Sequence, residues 1–218
     1  MKRHPHNSNL HLHSENSFHH TPVYTNRGPN IEQYLERLEL VINTTLQDYS
    51  RVFAFRVDLH CPPWYIHQNE NHANAALERF FASLKAQIEH NRFQALQNNP
   101  QAHCTKVRFV WAREFGLDGS HHFHVLILLN YDAFNCLGDF TLGRSNLYNR
   151  VVKAWSSALR GSASEVVTLV HFPENPMYWL YRGNTTSYQA LFYRASYLCK
   201  ADTKQYPDQG HAFGYSRY

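Results

Sequence analysis

The chain has 218 residues, 43% of them hydrophobic, which suits a single globular domain with a buried core. Charged residues make up only 17%, and the formal charge of +4 with a pI near 8.9 permits a nucleic-acid partner without demanding one. The longest clearly apolar run, Val125 to Leu129, is too short to cross a bilayer, and the polar N-terminus lacks the apolar stretch of a signal peptide. Cys61, Cys104, Cys136 and Cys199 form no C-x-x-C pair or zinc-knuckle spacing, so reduced thiols in a cytoplasmic protein with no membrane partner are expected.

Residues 1–28 carry six histidines (His4, His6, His11, His13, His19 and His20) among Asn, Ser and Pro, without apolar periodicity. That composition predicts a disordered, solvated tail, and residues 29–218 are expected to form the folded domain. From Pro29, a residue suited to a helix start, Ile31, Leu35, Leu38, Ile42 and Leu46 recur at helical spacing. Arg51 to His60 reads as a strand, because Phe53, Phe55, Val57 and Leu59 alternate with Arg56, Asp58 and His60. A second helix is expected over residues 71–94. A second strand (105–114), a polar turn from Gly116 to Ser120 and a third strand (121–130) predict an antiparallel hairpin. A helix over 146–159, short apolar segments at 166–172 and 177–181, and a last helix over 187–200 complete the order. The layout is α+β, with a central antiparallel sheet flanked by helices.

The first chemical signal is His122-Phe123-His124, at the start of the third strand. Residues i and i+2 of a strand share a face, so both imidazoles can converge on one ion. Glu114 ends the preceding strand, and the hairpin brings it opposite the pair. Two histidines and a carboxylate leave coordination positions open for a phosphate oxygen. The donor set fits Mg²⁺ or Mn²⁺, with Zn²⁺ also compatible. H-x-H alone is a weak signal among 16 histidines, and strand context with Glu114 is what raises it. His121 has the opposite parity and is excluded.

The second signal is Tyr193, Tyr197 and Lys200, at i, i+4 and i+7 of the last predicted helix, on one face. A phenol is a poor nucleophile at its ordinary pKa near 10, and an adjacent ammonium with a metal-polarised phosphate lowers the barrier to attack. Tyrosine attack on a phosphodiester leaves a phosphotyrosine link and a free 3′-hydroxyl. Among 14 tyrosines, core packing is the competing explanation for any one of them. Arg56, Asp58 and His60 share a strand face. They line the site if that strand neighbours the histidine strand, where Asp58 or His60 would compete with Glu114 as ligand, and otherwise form a solvent-facing edge. Arg56, Arg113 and Arg194 are candidate DNA-phosphate contacts, with Lys204 a further one, and Trp64, Tyr65, Trp179 and Tyr181 are candidate base-stacking aromatics.

Together, H-hydrophobic-H followed by Y-x-x-x-Y-x-x-K resembles the HUH-endonuclease superfamily. The surrounding text is closer still to the inovirus gene II protein family, also called the YagK/YfjJ C-terminal family. The matching runs are Arg56 to His60, Trp111 to Glu114, His122 to Val125 with Asn130, Ala154-Trp155, Ser196 to Lys200 with Thr203-Lys204, and Phe213 to Ser216. The resemblance covers residues 50–216. It implies an RRM- or ferredoxin-like core and a rolling-circle replication initiator, of a kind often carried by prophages. It further implies origin nicking on single-stranded DNA through a 5′-phosphotyrosine intermediate, with His122 and His124 as metal ligands and Tyr197 as nucleophile. A host helicase is a further partner to consider, since no nucleotide-binding loop is visible. Two other readings use the same residues: a DNA-binding regulator that does not cut, and a metal hydrolase that uses activated water.

Overall fold

A computed structural model describes residues 2–62, 65, 70–116, 120–202 and 211–217; Trp64, Thr203, Lys204 and the turn centre at 117–119 lie outside the described residues. The main sheet is built from β6 (Arg51–His60), β7 (Arg108–Phe115), β8 (His121–Asn130), β10 (Met177–Tyr181) and β11 (Phe213–Tyr215), in the order β10-β6-β8-β7-β11. A short strand, β9 (Val170–His171), also pairs with the end of β6. Every pairing in this sheet is antiparallel. With α2 (Glu70–Asn98) between β6 and β7, and α3 (Leu147–Leu159) between β8 and β10, the chain runs through the β-α-β-β-α-β succession of a ferredoxin-like unit. The expected α+β fold is therefore observed.

Both faces of the sheet are covered, which explains why β6 and β8 read as nearly continuous apolar runs. Phe53, Phe55, Val57 and Leu59 of β6, with Phe123, Val125, Ile127 and Leu129 of β8, pack with α2 and α3. Val52, Ala54, Leu126 and Leu128 point the other way, against Leu35, Leu38 and Ile42 of α1 (Glu32–Asp48) and Leu191, Phe192 and Ala195 of α5 (Thr185–Ser196). On this second face the apolar pattern stops at the strand ends, where Asp58, His60, His122 and His124 take over. A short helix, α4 (Ala163–Val166), links α3 to the β9 region and carries a capping box between Ser162 and Glu165.

The expected first and third strands match β6 and β8 residue for residue. Helix starts follow the local chemistry. The Asn146 side chain accepts from the Asn149 amide to cap α3, and the Asn184 side chain accepts from the Ser187 amide to cap α5. Several boundaries shift by a few residues, and two of the shifts bear on the site. The first helix begins at Glu32 rather than Pro29, because Asn30 and Ile31 are used as a strand, β5, that pairs with β2 (Asn7–His13). The last helix ends at Ser196 rather than Lys200. Tyr197–Cys199 form a 3-10 turn, and Lys200 turns to extended backbone to bridge Asn30.

The disordered tail is a correction. Residues 2–28 hold β1 (Lys2–His4), β2, β3 (Ser17–Phe18) and β4 (Thr21–Pro22), and β1-β2-β5 form a small sheet of their own. Two apolar residues anchor this arm: Phe18 and Val23 are 4% and 2% exposed within the α1/α5 core. Hydrogen bonds fasten the rest, among them the Tyr24 amide to Ser196 Oγ at 2.8 Å and the Ala201 amide to the Pro29 carbonyl at 2.9 Å. Two anchors in 27 residues give no periodicity, so the composition alone could not reveal them.

Deleting a buried aromatic ring costs about 3–5 kcal/mol. Phe18→Ala is thus expected to lower the denaturation free energy by about 3 kcal/mol in urea titration; a solvated tail would leave the midpoint unchanged.

Candidate active site

The strand register assembles the site. Asp58 and His60 of β6 stand directly opposite His124 and His122 of β8, and on the other side Glu114 and Ala112 of β7 stand opposite the same two histidines. Cross-strand partners share a sheet face, so His60, Asp58, His122, His124 and Glu114 form one polar patch. Ala112, as the neighbour of His124, adds only a methyl group. The site face is capped by the 3-10 turn that carries Tyr197 and by Lys200.

Three basic nitrogens converge on one carboxylate oxygen. Glu114 Oε2 lies 3.0 Å from Lys200 Nζ, 3.3 Å from His124 Nε2 and 3.9 Å from His122 Nε2. One ligand atom each from Glu114, His122 and His124 fall within 4.8 Å of one another, which is metal-ligand proximity. The other side of the His124 ring settles its tautomer. Nδ1 is 2.7 Å from Asp58 Oδ1. An ionised carboxylate only accepts, so Nδ1 carries a proton, and in the neutral ring that tautomer leaves the lone pair on Nε2. Arg56 Nη2 donates to the same Asp58 oxygen at 3.1 Å. Its 3.3 Å approach to His124 Nδ1 is then a packing contact, since a guanidinium cannot accept. His124 Nε2 is buried with no hydrogen-bond partner, a polar atom that a cation would satisfy. The donor set fits a divalent ion held by His122, His124 and Glu114, with Asp58 behind His124 as the carboxylate that orients a ligand histidine. Asp58 is therefore not the third ligand. His60 stacks on His122, ring centroids 5.5 Å apart and nearly parallel, and steadies it.

Protonation favours the ligand state. Burial first, and then the electrostatic influence of the neighbouring His124 ring, lower the His122 pKa to about 4, against the opposing pull of Glu114. Burial alone would raise the Asp58 carboxyl, but the His124 hydrogen bond and the positive charges around it, Arg56 included, outweigh that and hold it below its ordinary value.

Tyr197 joins this patch. Its ring meets the His124 ring edge-on at 5.4 Å, Lys200 Nζ sits 3.8 Å from the ring centroid, and the Arg56 guanidinium lies 5.4 Å from it. The pairing of the histidine strand with Tyr197 and Lys200, expected from two separate motifs, is thus observed. Tyr193 is placed differently: it is 42% exposed and reaches the cluster through Tyr24, whose ring lies 5.9 Å from Tyr193 and 5.6 Å from Tyr197. Tyr24 comes from the N-terminal arm, and its carbonyl is held by Asn30 Nδ2. No pattern in the sequence marks it.

The three arginines expected to meet phosphate separate. Arg56 belongs to the site but lies buried beneath it, as a partner of Asp58. Arg113 is a correction: it is 0% exposed, pairs across the sheet with Phe123 and donates to Asn74 Oδ1 of α2, on the opposite face. Strand parity requires this, since Arg113 is adjacent to Glu114. Arg194 reaches the Glu174 carbonyl, beside the site. Trp179 and Tyr181 are 41% and 44% exposed on β10 and lie outside the patch.

Fold and site together define an α+β protein whose antiparallel sheet gathers a His/His/Glu ligand set under a tyrosine and a lysine. The chain belongs to the YagK/YfjJ C-terminal domain family, whose model matches residues 13–216. It is 31% identical to the uncharacterized protein YfjJ of Escherichia coli (strain K12) over 204 residues, covering 87% of this chain and 96% of that protein. Identity to the uncharacterized protein YagK of the same strain is also 31%, over 198 residues, or 87% of this chain and 95% of that one. No solved structure matches. The family match includes residues 13–28, in keeping with an arm that is part of the fold.

The His122 shift has a stability consequence. The unfolded chain protonates this residue below about pH 6.5, whereas the folded one does so only near pH 4, so stability attributable to it falls as pH drops through that window. In chelator-treated protein, His122→Gln is expected to remove on the order of 2 kcal/mol of the stability lost between pH 6.5 and 4.5. Denaturant titration at the two pH values measures the difference, and parallel losses in both proteins would refute the assignment.

Proposed function

We propose that this protein is a metal-dependent DNA-nicking enzyme that cuts one strand by tyrosine transesterification. The supporting observation is the convergence of Glu114, His122 and His124 beside Tyr197, with Asp58 holding His124 by Nδ1. The motif resemblance to HUH endonucleases and the inovirus gene II family points to the same chemistry, with an origin in single-stranded DNA as substrate and a host helicase as a further partner.

In this reading His122, His124 and Glu114 hold Mg²⁺ or Mn²⁺, with Zn²⁺ also compatible. When bound, the ion supplies charge stabilisation to a phosphate oxygen at the cleavage point. Tyr197 oxygen attacks phosphorus, the P–O3′ bond breaks, and the phenol's proton ends on the departing 3′-oxygen. The products are a 5′-phosphotyrosyl protein and a 3′-hydroxyl, so rejoining needs no external energy. Lys200, which touches both Glu114 and the Tyr197 ring, places a positive charge beside the nucleophile as negative charge builds on the transferred phosphate. Asp58, itself held by Arg56, keeps the His124 ring oriented with Nε2 toward the ligand position. Tyr193 is a second nucleophile by motif, but its exposed position favours Tyr197 for the first cleavage.

Incubating the protein with a labelled single-stranded library and Mn²⁺, followed by a denaturing gel, separates the mechanisms. A covalent protein–DNA band is expected. Tyr197→Phe should abolish it, and His122→Ala should reduce it by at least about a hundredfold, the scale of losing one electrostatic catalytic group. Cleavage without a covalent band would identify a water-using hydrolase, and binding without cleavage under any metal a DNA-binding regulator. A band that survives Tyr197→Phe but not Tyr193→Phe would move the nucleophile.

A further inference from the structure

A second feature lies on the other side of the sheet, on the α2/α3 layer. Two adjoining cavities of about 300 and 340 Å³ share Asn91, Ser145, Asn146 and Arg150. Their walls bring together Arg92, Arg144, Arg150, Lys153 and His90. The carboxylate among the lining residues is Asp132, and it is engaged by Arg51. Arg92 donates to neutral acceptors, Asn91 Oδ1 and the His103 carbonyl. Arg92 and Arg150 both lie over the ring of Phe134, at 4.6 and 5.8 Å, and among the described residues neither makes an ion pair with a carboxylate.

Such an arrangement is costly unless an anion is present. Burial and then the Arg92 charge push the Arg150 pKa below its ordinary value, and burial does the same to Arg92. Amide side chains of Gln87, Asn91 and Gln94 add neutral hydrogen-bonding groups to the same walls. Rigid guanidiniums, a flexible lysine and amides around an open groove are the groups that contact a sugar-phosphate backbone.

We propose that this groove is a second nucleic-acid contact, gripping backbone phosphates away from the histidine site. Asn130, at the groove end of β8, is six residue steps from His124, roughly 20 Å along the strand. A single strand that touches both places would be held at two points and kept in register over Tyr197. Nucleic acid is preferred to an anionic membrane because the basic groups line a concave groove between two helices rather than a flat, convex face.

The test uses the full chain carrying Tyr197→Phe, so that no arm involves cleavage. Binding of a fluorescent single-stranded 30-mer is followed by anisotropy across a salt series, with inorganic phosphate and phosphatidylserine vesicles as separate probes. Arg92→Gln/Arg150→Gln is expected to weaken oligonucleotide binding on the order of tenfold and to lower the slope of log Kd against log salt by about 1.4, two lost phosphate contacts. Arg144→Gln/Lys153→Gln changes two exposed side chains that bear no fold load and should act in the same direction, which guards against misfolding of the first variant. The charge-matched Lys2→Gln/Arg3→Gln should change affinity less than twofold. Equal losses in all three variants, unchanged binding in the first two, or groove-dependent binding of vesicles without oligonucleotide would each overturn the proposal. None of these outcomes bears on cleavage, which the covalent-adduct gel reads separately.

Discussion

Arg56, Asp58, Glu114 and Lys200 are 3%, 9%, 3% and 3% exposed, on one face of one sheet. A lone carboxylate or ammonium at such depth would be strongly penalised, so four of them persist only because they are arranged as two cations against two anions. Arg56 lies against Asp58, and Lys200 against Glu114. The histidines are threaded through this balance. Asp58 holds His124 by Nδ1 at 2.7 Å, and Glu114 faces the Nε2 atoms of both rings. Removing one charge would leave its partner buried and uncompensated, which is why the cluster constrains everything around it.

The sheet supplies the geometry that this balance needs. Antiparallel register places Asp58 against His124 and Glu114 against His122 without help from any loop. The helices α2 and α3 cover the opposite face, so the site face is left to α1, α5 and the N-terminal arm. The arm matters to the chemistry as well as to stability, because Tyr24 packs against Tyr197 and is tied to Ser196, the residue before the nucleophile candidate. Ending α5 at Ser196 turns Lys200 toward Glu114. A helix continued through Lys200 would follow a different path.

Much of this was legible in the sequence wherever one rule acted alone. Strand parity identified β6 and β8 to the residue and put His122 and His124 on a common face with Glu114. The same rule, applied to Arg113, excludes it from the site, because adjacent strand residues point to opposite faces. Whether Asp58 and His60 join the histidines depends on which strand neighbours β8, a non-local pairing that periodicity does not carry. The arm escapes composition for a related reason: its order rests on two buried side chains and on hydrogen bonds to residues as distant as Ser196, none of which leaves a local pattern. Tyr24 is invisible from the sequence on the same grounds. The end of α5 is set by a bridge between Asn30 and Lys200, again a long-range contact.

The most direct test is anomalous X-ray scattering from crystals of the protein grown with Mn²⁺. One strong peak is predicted among His122 Nε2, His124 Nε2 and the Glu114 carboxylate, with Asp58 still bonded to His124 Nδ1 and Lys200 displaced from Glu114. A map with no peak at that position, or with the ion bound elsewhere and the Lys200–Glu114 ion pair intact, would contradict the metal centre and the chemistry built on it.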